Sequence, residues 1–218
     1  MLEHFKGEEV FVKKILEFKD QALNRQRIVL TKFLNPYHQS IVYSIIGKSD
    51  DLIVLEDGGL INSETKRLII APAFYQIEKA DFEIALAKIT YAKPFGKLGH
   101  RDILGALMSL GIKRELFGDI YEYNDDFYVA MDLKIYDYVK DNLTMIKKNK
   151  VKLSLSDEEI EIVHQYTSKT FIISSFRLDK VVSSFYGLPR NKAVSYIRSG
   201  FVKVNHKEVE EISYLCNN

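Results

Sequence analysis

The spacing of apolar residues in the first 75 positions changes from the helical to the extended pattern. Apolar positions three to four residues apart predict two helices, whereas short continuous apolar runs predict two strands. In chain order these are a helix near 8–23, a helix from Pro36 to Gly47, a strand within 51–60 and a strand over 67–72. The pattern therefore predicts a small N-terminal α/β cap over 1–75.

The middle of the chain alternates strand and helix patterns more regularly. In order, the pattern predicts a strand over 82–91, a helix over 100–111, strands over 119–123 and 127–131, a helix over 133–143 and a strand over 150–156. This β-α-β-β-α-β order is ferredoxin-like and is also used by RNA-recognition domains, so we expect such a domain over 76–156. The topology serves many unrelated functions and selects none of them by itself.

The last segment predicts a helix–helix–strand core. The inward-facing residues are Leu178, Val181, Val182 and Phe185 in the first helix, and Ala193, Val194 and Ile197 in the second. Gly187 ends the first helix, Pro189 begins the second, and Gly200 follows at a position that requires positive φ. The polar stretch 157–170 is predicted to be a linker, which leaves a third unit over 171–218.

Composition narrows the class of protein. The chain has 218 residues, of which 46% are hydrophobic, enough for two or three small domains. Its one cysteine, Cys216, rules out an intramolecular disulfide and a Cys-rich zinc site, and its five histidines lack metal-ligand spacing. No apolar run approaches the ~20 residues needed to span a bilayer. We therefore expect a cytoplasmic protein of α+β class with no membrane contact, metal or cofactor.

Charge is concentrated near the C-terminus. Residues 177–207 contain seven Lys and Arg against one Asp, a net charge of +6, whereas the whole chain carries +1. The remainder is therefore slightly acidic. A basic block of this kind is typical of a polyanion-binding module, although a solvated lysine-rich surface is the simpler alternative. The basic residues fall outside the predicted core positions, which favours a phosphate-contacting face.

Two stretches of sequence resemble known families. RLDKVVSSFYGLPRNKAVSYIRSGFVKVN, over 177–205, resembles the S4-type RNA-binding domain found in a ribosomal protein, pseudouridine synthases, tyrosyl-tRNA synthetases and ribosome-recycling factors. That match rests on Arg177, Asp179, Arg190, Ala193, Ile197, Gly200, Val202, Val204 and Asn205. Upstream, LTKFLNPYHQSIV, ETKRLIIAP and HRDILGALMSLGIKRELFGDI resemble the YlmH family. This resemblance implies a cap, an RNA-recognition-like middle domain and a C-terminal S4-type domain that bind RNA on the ribosome. A cell-division label also accompanies the family.

The chain departs from the usual S4 pattern in two places. S4-type domains usually continue after the first hairpin with a Gly-Asp turn and a further strand, so we expect an incomplete sheet here. The turn after Val204 is Asn205-His206, where Asn-Gly is usual. A residue other than glycine at positive φ costs roughly 1 kcal/mol.

Two fragments imitate catalytic motifs. His100-Arg101-Asp102 begins like a kinase catalytic loop, but the remaining kinase motifs are absent, so it is interpreted as a helix N-terminus. Arg177-Leu178-Asp179 resembles the motif that holds the catalytic Asp of pseudouridine synthases, but here it begins the binding module. The sequence has no GxSxG, HExxH, P-loop or dinucleotide motif. We therefore predict no enzymatic activity.

The sequence predicts a monomeric protein that docks structured rRNA or tRNA, on the large ribosomal subunit, in translation quality control or rescue. The predicted RNA-binding residues are Arg177, Lys180, Arg190, Asn191, Lys192, Arg198, Lys203, Asn205 and Lys207. Because Arg190 and Lys192 lie outside the predicted core, their replacement by Ala is expected to weaken RNA binding without unfolding the protein.

Several assignments stay open. Tyr186 and Tyr196 either stack on RNA bases or pack against the module. Lys113 and Arg114 either contact RNA or lie at a solvated helix end. An RNA-modifying enzyme, pseudouridine-synthase-like, with catalytic residues in 1–155 is one alternative function, and a cell-division interaction scaffold is another.

Overall fold

The structure is a computed structural model that describes residues 5, 7–47, 49–92, 96–163, 166–168 and 170–216. The chain forms two compact units, Met1–Val163 and His164–Asn218. The α-helices of the described residues are α1 (Glu9–Arg25), α2 (Pro36–Ile46), α3 (His100–Ser109), α4 (Tyr136–Asn142), α5 (Leu178–Tyr186) and α6 (Arg190–Arg198). The strands are β1 (Val29–Leu30), β2 (Leu52–Asp57), β3 (Arg67–Pro72), β4 (Ile84–Tyr91), β5 (Phe117–Tyr123), β6 (Asp126–Asp132), β7 (Met145–Ile146), β8 (Asn149–Leu155), β9 (Lys203–Val204) and β10 (Lys207–Glu208).

The N-terminal part of the first unit is an antiparallel sheet in the order β1-β3-β2, covered by α1 and α2. Local sequence sets the start of α2, because the Asn35 side chain accepts a hydrogen bond from the His38 amide at 2.8 Å and Pro36 occupies the first turn. Both helices bury apolar residues against the sheet, among them Ile15 of α1 and Ile41 of α2, which are fully buried. β3 is the central strand, paired on both sides, and every one of its residues is buried.

The second sheet of this unit has the antiparallel order β5-β6-β4-β8-β7. Apart from the short β7, this is the strand order of the ferredoxin-like fold, with α3 and α4 packed on one face. The predicted α+β class and ferredoxin-like middle are confirmed. The predicted helix over 133–143 is shorter, because Asp132 accepts a hydrogen bond from the Lys134 amide at 3.0 Å and starts a 3₁₀ turn. Leu133, the first residue of this turn, is half exposed.

The other face of the second sheet is covered by residues 157–162, here called the cover segment, which belong to the stretch predicted as a linker. Ile160 and Ile162 are buried in one apolar cluster with Tyr128 on β6. Glu158 accepts hydrogen bonds from the Tyr128 hydroxyl at 3.0 Å and from Lys88 Nζ at 3.3 Å. The cover segment therefore closes the middle of this sheet face to solvent.

A buried ion pair connects the two sheets of the first unit. Arg67 on β3 is 3% exposed and lies 3.4 Å from the carboxylate of Asp132, at the end of β6. Arg67 also donates hydrogen bonds to the carbonyls of Thr31, at 3.0 Å, and Glu83, at 2.9 Å. Lys32 Nζ also lies 3.5 Å from the Asp132 carboxylate. Because Arg67 and Asp132 are both out of water, each needs these ionic contacts between the two sheets for compensation.

The second unit is built from α5, α6 and the β9–β10 hairpin. Its core residues are Leu178, Val182, Ala193, Ile197 and Val209. Phe185, expected in this core, is 48% exposed and packs against other aromatic rings. The described sheet has two strands, and the chain after it returns to the start of α5. There the Leu178 amide donates to the Tyr214 carbonyl at 2.8 Å.

Glycines and the hairpin turn have the backbone geometry that the sequence predicts. Gly187 and Gly200 have φ of 62° and 71°. Asn205 and His206 have φ of 48° and 66°, the geometry of a type I′ turn. His206 therefore occupies a left-handed position that glycine would occupy at lower cost.

Candidate nucleic-acid interface

The centre of the second unit is the carboxylate of Asp179, in the first turn of α5. It is fully buried and receives two arginines. Arg190, the first residue of α6, donates from Nε at 2.9 Å and from Nη2 at 2.6 Å to Oδ2. Arg177 donates from Nε to Oδ1 at 3.1 Å. The group of Arg177, Asp179 and Arg190, here called the aspartate centre, has a net charge of +1.

Hydrogen bonding keeps the buried carboxylate ionised. Burial alone would raise the pKa of Asp179, but the hydrogen bonds and charges of Arg177 and Arg190 outweigh it and lower the pKa below its ordinary value. Asp179 in return fixes the two guanidinium groups beside each other at the helix starts. The Arg190 side chain remains 61% exposed, and its Nη1 donors are not used in this pair.

The aspartate centre corrects one prediction. Arg177 and Arg190 were expected to be dispensable for the core, so that replacing Arg190 by Ala would leave the fold intact. In the structure each of them compensates a carboxylate with no solvent exposure. Removing Arg190 would leave that buried charge with a single partner.

Lys180 lies beside the aspartate centre, one helical position further along α5. Its Nζ donates to Ser174 Oγ at 2.9 Å. Together with Arg190, Ser183 and Ser184, it lines a shallow pocket. Arg177, Lys180 and Arg190 are thus the predicted site residues that the structure brings together most closely.

The remaining predicted residues lie on α6 and the hairpin. Asn191, Lys192 and Arg198 are exposed on α6, and Asn191 and Arg198, seven positions apart, share one stripe of the helix. Lys203 and Asn205 are exposed on the hairpin, whereas Lys207 is partly buried. Lys203 is opposite Glu208 across the hairpin, which reduces the net charge there.

Aromatic rings lie among these cations, and one of them was not predicted as a site residue. Tyr196, four residues after Lys192 on α6, is 45% exposed and meets Phe201 edge-on, with ring centroids 6.3 Å apart. Phe201 is 76% exposed and shares the outward-facing side of the stretch 201–205 with Lys203 and Asn205, alternating with Val202 and Val204. That alternation was the available sequence signal for Phe201. Tyr186 is also exposed, against the edge of Phe185.

The motif fragments of the first unit have structural roles. Asp102 accepts a hydrogen bond from the Gly99 amide at 2.9 Å, so His100-Arg101-Asp102 is a helix N-terminus, as predicted. Arg114 is exposed, and its guanidinium donates a hydrogen bond to the Phe117 carbonyl at 2.5 Å. Lys113 beside it is exposed.

The described residues form neither a metal site nor a membrane-spanning helix. Among the described residues, no cluster of three or more His, Cys, Asp or Glu side chains is arranged to hold a metal ion. Likewise, none of the described helices combines the length and the apolar composition needed to cross a membrane. His4 and His164 lie outside the described residues.

Comparison with known proteins gives matches along the chain. Residues 7–75 match the family model described as "YlmH, N-terminal", residues 78–161 match "Putative RNA-binding domain in YlmH", and residues 176–217 match "S4 domain". The chain is 36% identical over 217 residues to the ribosome-associated protein quality control protein P2 of Bacillus subtilis (strain 168). That alignment covers 98% of this chain and 84% of the Bacillus subtilis protein. The solved structure of the cell division protein ylmH from Streptococcus pneumoniae is similar, with 30% identity and a TM-score of 0.59, covering 69% of this chain and 92% of that chain.

Proposed function

The chain belongs to the YlmH family, and from that membership and the geometry of the second unit we propose that it is a non-catalytic protein that docks structured RNA. The Bacillus subtilis relative is named as a ribosome-associated quality control protein. We therefore propose rRNA or tRNA on the large ribosomal subunit as the target, in translation quality control or rescue.

One observation carries this proposal. The S4-domain match over 176–217 coincides with exposed cations on a helix–helix–hairpin scaffold. The exposed members are Arg190, Lys192, Arg198 and Lys203. The aspartate centre fixes Arg190 while leaving part of its guanidinium accessible, which suits a phosphate contact.

The distribution of polar groups supports backbone recognition with limited base contact. Lys and Arg meet phosphates and position the protein without reading sequence. Asn191 and Asn205 are exposed beside them and are suited to hydrogen bonds with sugar or base edges. Tyr196 and Phe201 present exposed ring surface to an unpaired base. We propose that these aromatic contacts add affinity at an RNA loop or bulge.

The state of Asp179 supports a structural role for the Arg-Leu-Asp motif and leaves the RNA-modifying alternative to residues in 1–155. A catalytic Asp in this motif would have to reach the substrate. Here that carboxylate is fully buried and both of its oxygens accept hydrogen bonds from arginine. Product analysis of RNA incubated with the protein tests this point, since a new modified nucleoside would favour the enzyme.

Sucrose-gradient fractionation followed by crosslink mapping tests the proposed target. We expect the protein to migrate with large subunits and the crosslinks to map to rRNA or tRNA. Lys192→Gln/Lys203→Gln should shift the protein toward the top of the gradient, whereas Lys13→Gln/Lys79→Gln, which removes two exposed lysines of the first unit, should not. Migration at the top for the wild-type chain would contradict the proposal.

The cell-division name of the Streptococcus pneumoniae relative gives the second candidate, an interaction scaffold. Affinity purification with and without ribonuclease separates the two. Partners of an RNA-docking protein should be lost after ribonuclease treatment, whereas contacts of a scaffold should survive it.

A further inference from the structure

The β7–β8 hairpin of the first unit carries a dense cluster of lysines. Lys147, Lys148, Lys150 and Lys152 lie within six consecutive residues, and the hairpin from Met145 to Leu155 contains no acidic residue. All four lysines are exposed. The proposed function of the second unit makes no use of them.

The scaffold beneath these lysines is fixed. Ile146 and Asn149 are 1% and 2% exposed and face each other in the strand register, which leaves Lys147-Lys148 as a two-residue turn. Lys147 Nζ pairs with Asp102 Oδ1 at 2.8 Å and so ties the turn to the start of α3. The hairpin therefore presents its charges from a defined position.

The backbone at Lys147 is an unusual place for a lysine. Its φ is +54°, in the left-handed region where glycine or asparagine is the less costly choice. A conformational cost of this kind is tolerated most readily where the side chain has a use. Lys147 is used to anchor the turn, and the other three lysines project from it.

Lys148, Lys150 and Lys152, here called the hairpin lysines, make no ion pair with any described residue. Lys152 is opposite Thr90 on β4, two register positions along the sheet from the Lys88–Ser154 pair. The cover segment lies over Tyr128 and Lys88, and it leaves the hairpin lysines exposed. Their charge is therefore available to a polyanion.

The covered sheet face indicates which kind of RNA these lysines suit. In folds of this topology, exposed aromatic residues on the sheet stack the bases of single-stranded RNA. Here Tyr128 is 1% exposed beneath Ile160 and Ile162. Base stacking at that position is blocked, so the accessible chemistry is contact between lysine and the phosphate backbone, which double-stranded RNA presents at high density.

We propose that the hairpin lysines form a second phosphate-binding surface, for double-stranded RNA, separate from the S4 domain. The proposal rests on the RNA-binding function proposed above and extends it to the first unit. It is favoured over an acidic protein partner because the hairpin lies within the 78–161 match to a family model for RNA binding.

The test compares two triple variants of the full chain by fluorescence anisotropy. Lys148→Gln/Lys150→Gln/Lys152→Gln removes the surface, and Lys13→Gln/Lys14→Gln/Lys79→Gln removes the same charge from exposed lysines elsewhere in the first unit. The probes are a short RNA duplex and one of its strands alone. We expect the hairpin variant to bind the duplex at least tenfold more weakly, with a log–log salt slope shallower by about two to three. The single strand should lose less affinity, and the control variant should match wild type.

A third variant, Lys192→Gln/Arg198→Gln/Lys203→Gln, separates this proposal from the proposed function. If this variant weakens binding while the hairpin variant behaves like the control, the hairpin proposal is overturned and the S4 site stands. An acidic protein then becomes the candidate partner of the hairpin lysines. If wild type binds neither probe, both proposals fall. Each variant should melt at the wild-type temperature, and Lys150→Gln and Lys152→Gln singly repeat the test should the triple variant melt lower.

Discussion

Arg190 and Asp179 join the starts of α6 and α5 through two hydrogen bonds of 2.9 and 2.6 Å. The arginine is mostly exposed and the carboxylate is fully buried. The same side chain therefore contributes to the stability of the second unit and presents charge at its surface. Stability and RNA affinity must accordingly be measured separately for any Arg190 variant.

Replacing Arg190 by Ala should destabilise the second unit by about 2 kcal/mol. This is below the range for breaking a fully buried pair, because Arg177 still contacts the carboxylate and Arg190 is partly solvated. Urea unfolding followed by the amide NMR signals of α5 and α6 measures the change. Lys192→Ala, two residues away and unpaired in the described structure, serves as the control and should change stability by less than about 0.5 kcal/mol. Equal stability of both variants would contradict the role assigned to the aspartate centre.

The second unit should lose stability in acid. The pKa of Asp179 is lower in the folded protein than in the unfolded chain, where it is about 3.9. As the pH falls, the unfolded state therefore binds the proton first. The contribution of Asp179 to folding stability is complete well above pH 4 and is lost as the pH falls through the pKa of the folded protein. Urea midpoints of α5 and α6 signals at pH 6 and pH 3 measure the loss. Asp179→Asn should be less stable at pH 6 and should lose less stability between the two pH values.

His206→Gly should stabilise the hairpin turn. The φ of 66° at His206 is strained for a residue with a Cβ, and Asn-Gly is the preferred pair for this turn type. We expect a gain of up to about 1 kcal/mol, reduced by the greater flexibility of glycine in the unfolded chain. Thermal unfolding followed by circular dichroism checks it. His206→Ala keeps the positive φ and the Cβ, so it should give no such gain.

RNA affinity should depend steeply on salt. If five cations of the second unit meet phosphates of a duplex-like RNA, log K should fall with log salt at a slope of roughly −4 to −5. Binding titrations between low and physiological salt measure the slope. An affinity that does not change with salt would exclude docking through phosphates.

Local signals predicted most secondary structure. The helix from Pro36 was predicted because proline favours a first helical turn and apolar residues follow at helical spacing, and β3 because its apolar run is continuous. The alternating strands of the middle domain also suggested the ferredoxin-like order. For these elements the spacing of apolar residues agrees with the tertiary structure, so one sequence was enough to predict them.

Features that depend on distant contacts could not be predicted in the same way. The stretch 157–162 is strongly acidic and so is typical of a linker, yet Ile160 and Ile162 find an apolar surface on a sheet that is distant in sequence. Asp179 is likewise typical of an exposed helix start, and its burial depends on Arg190 in another helix. The positions of the cations were predictable from sequence, but their ion pairs were not.

The buried Arg67–Asp132 pair has a practical consequence for dissecting this protein. Although the family models divide the chain between residues 75 and 78, a break there would separate the two partners and leave each half with an ionised group lacking its counter-charge. Fragments divided at that point should therefore be poorly folded, and activity lost from them would say little about which half carries it.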